Sequence, residues 1–180
     1  MFILQVDSRI TLRMLTARDA QPLFKITDES RNYLKKWLPW LDETKSEEDS
    51  LSFIKNTFVT YNNRAGITAG IFYNENLVGV ISFNYLDFKN KIGSIGYWLN
   101  KNNMGKGIMT KSVSALITYG FNELELNRIE IRCASNNKRS RAIPERLGFK
   151  QEGCLREAEL LYDQFVDHVV YGMLKSEWEQ

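Results

Sequence analysis

Histidine and cysteine are scarce in this chain, and neither sign of charge is in large excess. The sequence holds one histidine, His168, and two cysteines, Cys133 and Cys154. Neither cysteine sits in a Cys-x-x-Cys or Cys/His spacing, which argues against a metal site. Both fall in predicted strands and read as reduced core thiols, so a reducing, cytoplasmic compartment is expected. A formal net charge of +2 is too small for an electrostatic nucleic-acid binder, and no direct nucleic-acid partner is expected. No apolar run approaches the roughly 20 residues of a membrane span. Residues 1–6 carry a brief apolar patch without a signal core or cleavage site, so no membrane partner is expected either. Repeats, low-complexity tracts and Pro/Gly/Ser-rich linkers are missing. The absence of Gly-x-x-x-x-Gly-Lys-(Ser/Thr) sets aside a nucleotide-hydrolase phosphate loop.

What is present fits a single domain over residues 1–180, with 43% hydrophobic residues to build a core. The chain is organised around residues 96–112. They read as a strand ending near Leu99, a polar loop, Gly105 and Gly107, and an amphipathic helix. Met109, Val113, Leu116, Ile117 and Phe121 recur at three- and four-residue intervals and so share one helix face. A helix start behind a glycine loop leaves backbone N–H groups unpaired and aimed one way, a natural anion site. A Cβ at Gly105 or Gly107 would hold an anion's oxygens off the backbone. Plain turn punctuation by the two glycines is the alternative.

Alternation over Ile10, Leu12 and Met14 predicts a first strand, and Thr16 is a candidate cap for the helix that follows. Tyr33, Trp37 and Trp40 surround Pro39 in a broken helical segment; they either line a substrate mouth or plug the core. Ser46 caps a helix carrying Leu51, Ile54, Phe58 and Tyr61. Strands are expected over residues 66–73 and 77–85, joined by Asn74-Glu75-Asn76, and over 91–99, 128–133, 149–158 and 165–174. Pro144 is expected near the first turn of a short helix that Gly148 closes. The fold class is therefore α/β in the α+β sense. A mixed, mostly antiparallel sheet of about seven strands is flanked by helices, and one parallel pair, 91–99 and 128–133, is joined by the central helix.

These segments resemble the GNAT superfamily of acetyl-CoA-dependent N-acetyltransferases, and within it the RimJ/RimL type that includes YdaF-like ribosomal-protein-serine acetyltransferases. The resemblance runs through Ile-Thr-Leu-Arg-Met-Leu near the start, Gly-Tyr-Trp-Leu with Gly-Lys-Gly-Ile, and Leu-Asn-Arg-Ile-Glu-Ile-Arg-Cys. It continues through Asn-Lys-Arg-Ser, Leu-Gly-Phe and Leu-Arg-Glu-Ala-Glu, covering nearly the whole chain. It implies the GNAT fold, acetyl-CoA as co-substrate and no metal. The family's (Arg/Gln)-x-x-Gly-x-(Gly/Ala) loop falls on Asn102, Asn103, Met104, Gly105, Lys106 and Gly107, with an uncharged Asn102 departing from the pattern. By the resemblance, the amides of Gly105, Lys106, Gly107, Ile108, Met109 and Thr110 grip the pyrophosphate. Trp98, Leu99 and Asn100 hold the pantetheine arm like an added strand, and a bulge near Gly93 or Gly96 opens the slot. Many relatives carry a glutamate where this chain has Ser94.

Acetyl transfer to an amine needs a proton acceptor, donors to the oxyanion and a partner for the departing thiolate. The resemblance makes Glu159 the candidate base, against an ordinary solvated glutamate on an edge strand. Ser140 becomes the donor to the coenzyme sulfur, with helix capping as its alternative role. Asn137 and Lys138 join the cofactor set, the Leu99 N–H is an oxyanion donor, and Lys138, Arg139 and Arg141 near the cofactor mouth either meet the coenzyme 3′-phosphate or form a solvated basic face. Tyr162 and Tyr171 are candidates for the acceptor cleft, while His168 reads as a half-exposed strand residue. The expected acceptor is an amine, foremost a protein N-terminus of the ribosomal kind. A small-molecule amine and a non-catalytic acyl-CoA-binding module are the alternatives, and a homo-oligomer is compatible with the type.

Overall fold

A computed structural model describes residues 1–178. One eight-stranded sheet organises them, built from β1 (Ile3–Gln5), β2 (Ile10–Arg13), β3 (Ile67–Tyr73), β4 (Asn76–Asp87), β5 (Ile92–Leu99), β6 (Arg128–Ala134), β7 (Lys150–Leu161) and β8 (Gln164–Leu174). In space the order is β1-β2-β3-β4-β5-β6-β8-β7. Every neighbouring pair is antiparallel except β5 and β6. The helices are α1 (Ala20–Glu29), α2 (Arg31–Leu34), α3 (Glu47–Asn62), α4 (Ile108–Asn122), α5 (Lys138–Arg146) and α6 (Lys175–Trp178).

The two sheet faces bury different helices. Leu23 and Ile26 of α1 and Ile54 of α3 pack with Phe72, Leu77 and Val80. On the other face Val113, Leu116, Ile117 and Phe121 of α4 are each at most 1% exposed against Ile95, Ile129 and Ile131. The three- and four-residue spacing thus marks the face of α4 that meets the sheet. Each such fully buried side chain contributes about 1.5–3 kcal/mol of transfer free energy.

Local chemistry sets the boundaries. Ser46 accepts from the Asp49 N–H, and the Asp49 carboxylate reaches back to the Ser46 N–H. The β3–β4 turn places both Asn74 and Glu75 at positive φ, as a two-residue turn matched to strand twist requires. At the other hairpin, Tyr162 takes φ 60° and Asp163 completes the turn.

Three expectations are corrected. The sheet has eight strands rather than about seven, because β1 pairs with β2 as a three-residue edge too short to show a period. Cys154 is exposed on β7, whereas Cys133 is buried. Pro144 lies in the last turn of α5, not its first, where its missing N–H leaves the Ser140 carbonyl without a helical partner.

Arg13 and Asp19 tie β2 to the start of α1. Both guanidinium Nη atoms donate to the carboxylate at 2.9 Å, the Thr16 N–H donates to it at 2.7 Å, and the guanidinium lies 3.8 Å from the centre of the Phe72 ring. Burial would raise the Asp19 carboxyl, but the Arg13 and Thr16 donors hold it below its ordinary value. A lowered folded pKa gives stability above the unfolded value near 3.9 and loses it as pH falls through the folded one. Asp19→Asn is expected to cost about 1–3 kcal/mol at neutral pH. In urea melts, that difference from the parent shrinks on acidification below about pH 4.

Candidate functional site

The parallel ladder between β5 and β6 is short. It pairs Ile92 to Ile95 with Arg128 to Ile131 and stops there, although β5 continues to Leu99. On its other side β5 stays paired with β4 as far as Leu99, and the Asn100 N–H donates to the Val78 carbonyl at 2.8 Å. Alternation along an antiparallel ladder then turns the N–H and C=O of Tyr97 and Leu99 toward the space beside β6. The bulge that bends this region lies on β4 between Phe83 and Tyr85, not on β5 at Gly93 or Gly96. Gly96 has a separate reason to be glycine: a Cβ there would sit 2.2 Å from the Asn84 amide.

A cleft of about 1470 Å³ fills the divergence. Pockets for one drug-sized ligand run to about 1000 Å³, so this one has room for a long ligand and a second molecule. The cleft passes through the sheet. Tyr97, Cys133 and Ser140 line it on the face covered by α4 and α5, while Trp98, Glu159 and His168 line it on the other.

At its first end, Gly105 and Gly107 hold φ of 76° and 75°, and an added Cβ would meet nothing within 4 Å. That space is open toward the start of α4. No side chain caps α4, and its first internal bond is from the Lys111 N–H to Gly107, so the amides of Ile108, Met109 and Thr110 have no partner within the helix. Lys138 and Arg139 line the same end, joined by Lys101 and by Arg146, which also donates to Thr110 Oγ1 at 3.2 Å. Exposed amides at a positive helix end, rimmed by cations, suit a pyrophosphate.

Ser140 stands at the middle. Asn137 accepts from the Ser140 N–H at 3.2 Å and caps α5. Ser140 Oγ donates to Cys133 Sγ at 3.2 Å, and Tyr97 Oη donates to the Ser140 carbonyl at 2.9 Å, the carbonyl that Pro144 leaves unpaired. Burial pushes the Cys133 thiol and, further, the Tyr97 phenol above their ordinary values. Both stay protonated near neutral pH, so Cys133 is a poor nucleophile and Tyr97 a lasting donor.

The second end is aromatic and carries the acid. Tyr33, Trp37 and Trp40 line it, with the Trp40 and Trp98 ring centroids 6.0 Å apart. Glu159 Oε2 lies 3.0 Å from His168 Nε2. Tyr162 is outside the lining but donates from its hydroxyl to the Leu38 carbonyl at 2.8 Å, tying the β7–β8 hairpin to the aromatic segment.

Most of the expected residues come together in this cleft. It is lined by Trp98, Leu99, Met104, Gly105, Gly107, Ile108, Met109, Thr110, Asn137, Lys138, Ser140 and Glu159. Others do not. Asn100 is buried and braces the loop through Asn103, while Asn102 and Lys106 are exposed and outside the lining. Tyr171 is buried and bonded to Arg141 and Glu145, which removes Tyr171 from the acceptor cleft and Arg141 from the mouth. Asn84, Tyr97, Arg146 and the pairing of His168 belong to the site without being marked as such by the sequence. Pro144 was the available signal for Tyr97, because a helical proline frees the carbonyl four residues back. Among the described residues there is no cluster able to hold a metal ion and no helix long and apolar enough to cross a membrane.

Comparison with known proteins agrees with this geometry. The acetyltransferase (GNAT) domain family matches residues 9–150. The chain is 41% identical over 181 residues, 99% of this chain and 98% of the relative, to the "Putative ribosomal N-acetyltransferase YdaF" of Bacillus subtilis (strain 168). Microcin C7 self immunity acetyltransferase MccE, solved with acetyl-CoA and AMP, aligns with a TM-score of 0.92 at 33% identity over 95% of each chain. RimL, a ribosomal L7/L12 alpha-N-protein acetyltransferase solved with coenzyme A, aligns with a TM-score of 0.92 at 28% identity over 96% of this chain and 98% of its own. A split sheet, a glycine loop at a bare helix start and a family match over most of the chain lead to one assignment: the protein belongs to the GNAT acetyltransferases and is an N-acetyltransferase that takes its acetyl group from acetyl-CoA.

Proposed function

We propose that the enzyme acetylates the N-terminal α-amine of a protein, of the ribosomal-protein kind, by direct attack of the amine on the thioester. The observation that carries this reading is the cleft through the sheet, with Ser140 on one face and Glu159 on the other. The names of the relatives YdaF and RimL support a ribosomal acceptor.

In this reading the amides of Gly105 and of Gly107 to Thr110 hold the pyrophosphate, with Lys138 and Arg139 neutralising further phosphate charge. The pantetheine arm lies along Trp98 and Leu99, taking up backbone groups that β6 leaves free, and Asn137 contacts it while capping α5. An α-amine has a pKa of about 7.7–8.0, so a substantial fraction is already neutral near physiological pH. Glu159 takes the remaining ammonium proton, directly or through water, and the freed lone pair forms the C–N bond. The Leu99 N–H donates to the oxyanion. As the C–S bond breaks, the Ser140 hydroxyl donates to the departing thiolate. No covalent enzyme intermediate is needed, in keeping with a Cys133 thiol that burial keeps protonated.

The rival acceptor is a small amine, supported by the AMP bound in the MccE structure and by the aromatic wall of Tyr33, Trp37 and Trp40. An acetyl-transfer screen pitting peptides that begin with Ser, Thr, Ala or Met against polyamines and aminoglycosides separates the two. Turnover confined to the small amines overturns the protein-acceptor reading.

Glu159→Gln and Ser140→Ala are each expected to lower kcat by about 10²–10⁴-fold while leaving acetyl-CoA affinity nearly unchanged. Wild-type kcat in either variant removes that residue from the chemistry. Gly107→Leu has the opposite signature. It fills the open space at the start of α4 and strains a left-handed backbone position, so calorimetry should show acetyl-CoA binding lost with the fold intact.

A further inference from the structure

β7 and β8 do not pair regularly. Leu155 lies opposite His168, but the next pair is Glu159 with Val166, so three residues of β7 face one of β8. The two surplus residues make a bulge larger than the usual two-against-one kind, and Glu157 within it takes φ 49°. Asp167, the single residue opposite, closes the bulge by accepting from the Glu157 N–H through Oδ1 at 2.8 Å. Its carbonyl accepts from the Ser135 N–H at 2.8 Å, which anchors the same spot to the end of β6.

If every residue of β7 paired regularly onward from Leu155–His168, Glu159 would fall opposite Gln164. Glu159 would then stand four residues from the His168 level, roughly 13 Å along the strand. The bulge draws it back two positions, to the diagonal of His168, where side chains of this length meet. His168 itself lies opposite Ala134 of β6, which lines the cleft. The result is the 3.0 Å approach of Nε2 to Oε2 between side chains 20% and 29% exposed, too sheltered for a loose surface pair. The imidazole with its proton on Nε2 is the tautomer that donates to Oε2 in this contact.

We propose that His168 is a positioning residue for the Glu159 carboxylate, and that the bulge closed by Asp167 brings the two together. The bond occupies Oε2 and fixes the carboxylate's rotation, leaving Oε1 to meet the acceptor's ammonium. A glutamate on an edge hairpin has three side-chain torsions, and a base must lie within about 2.6–3.2 Å of the proton it takes. The proposal rests on Glu159 being that base.

The test is a cycle of variants assayed for kcat and KM on the acceptor peptide identified by the screen. His168→Leu removes the donor and is expected to lower kcat by about 10–100-fold, with KM for acetyl-CoA and the melting temperature held near the parent values. His168→Gln carries an amide N–H at a similar reach and should recover most of that loss. In a Glu159→Gln background, His168→Leu should cost little more, because residues acting as one unit are non-additive. Equal damage from Leu and Gln, additive losses, or an unchanged kcat in His168→Leu each overturn the proposal. If Glu159→Gln alone is fully active, the base assignment fails instead. If His168→Leu misfolds, His168→Asn takes its place in the same cycle, since an amide one methylene shorter stops short of Oε2.

Discussion

Backbone hydrogen-bonding capacity at the sheet's centre governs this molecule. A strand in the middle of a sheet normally has both edges satisfied, and leaving buried N–H and C=O groups unpaired is costly. β5 satisfies one edge throughout, against β4, but the other only as far as Ile95. Past that point β6 keeps only its other neighbour, β8, with which it pairs from Arg128 to Ala134. The wedge between them keeps polar backbone unsatisfied in the middle of the protein, and an extended ligand arm is the natural group to complete it. The elements of the site stand around this wedge: α4 starts at its wide end, α5 covers one face, and the β7–β8 hairpin reaches the other.

Pro144 shows how the support is arranged. A proline in the last turn of a helix normally counts as a defect, since it deprives a carbonyl of its partner. Here the deprived carbonyl belongs to Ser140, and the Tyr97 hydroxyl from β5 fills the vacancy. A flaw in one element thus becomes a bond between two, across the wedge and beside the hydroxyl assigned to the leaving thiolate. Asn137 fixes the same residue from its amide side. Ser140 is therefore held by contacts on its backbone, which leaves its side chain free to exchange Cys133 for a ligand sulfur.

The legibility of these features follows their locality. The buried face of α4, the Ser46 cap and the β3–β4 hairpin near Asn74 each depend on residues a few positions apart, and the sequence displays them directly. The glycine loop and Ser140 were legible as a pattern over a longer span. What stayed hidden depends on register between distant segments. β1 is three residues long and exists because β2 offers it an edge. His168 read as an ordinary strand residue because its partner is set by a bulge that composition does not announce: Glu157 is neither glycine nor asparagine. The chemistry of Arg141 suggests the cofactor mouth and that of Tyr171 the acceptor cleft, yet the two meet each other at 2.9 Å beneath α5.

The same bulge gives chain length a meaning on β7 that it lacks in the loops. Side chains on a strand alternate between faces, so a surplus of two preserves which face Glu159 occupies. Losing one residue between Leu155 and Glu159 would turn the carboxylate to the opposite side of the sheet. Losing two would remove the bulge and leave Glu159 opposite Val166, on the same face and on the same diagonal of His168. On this strand, then, a change of two residues is milder than a change of one.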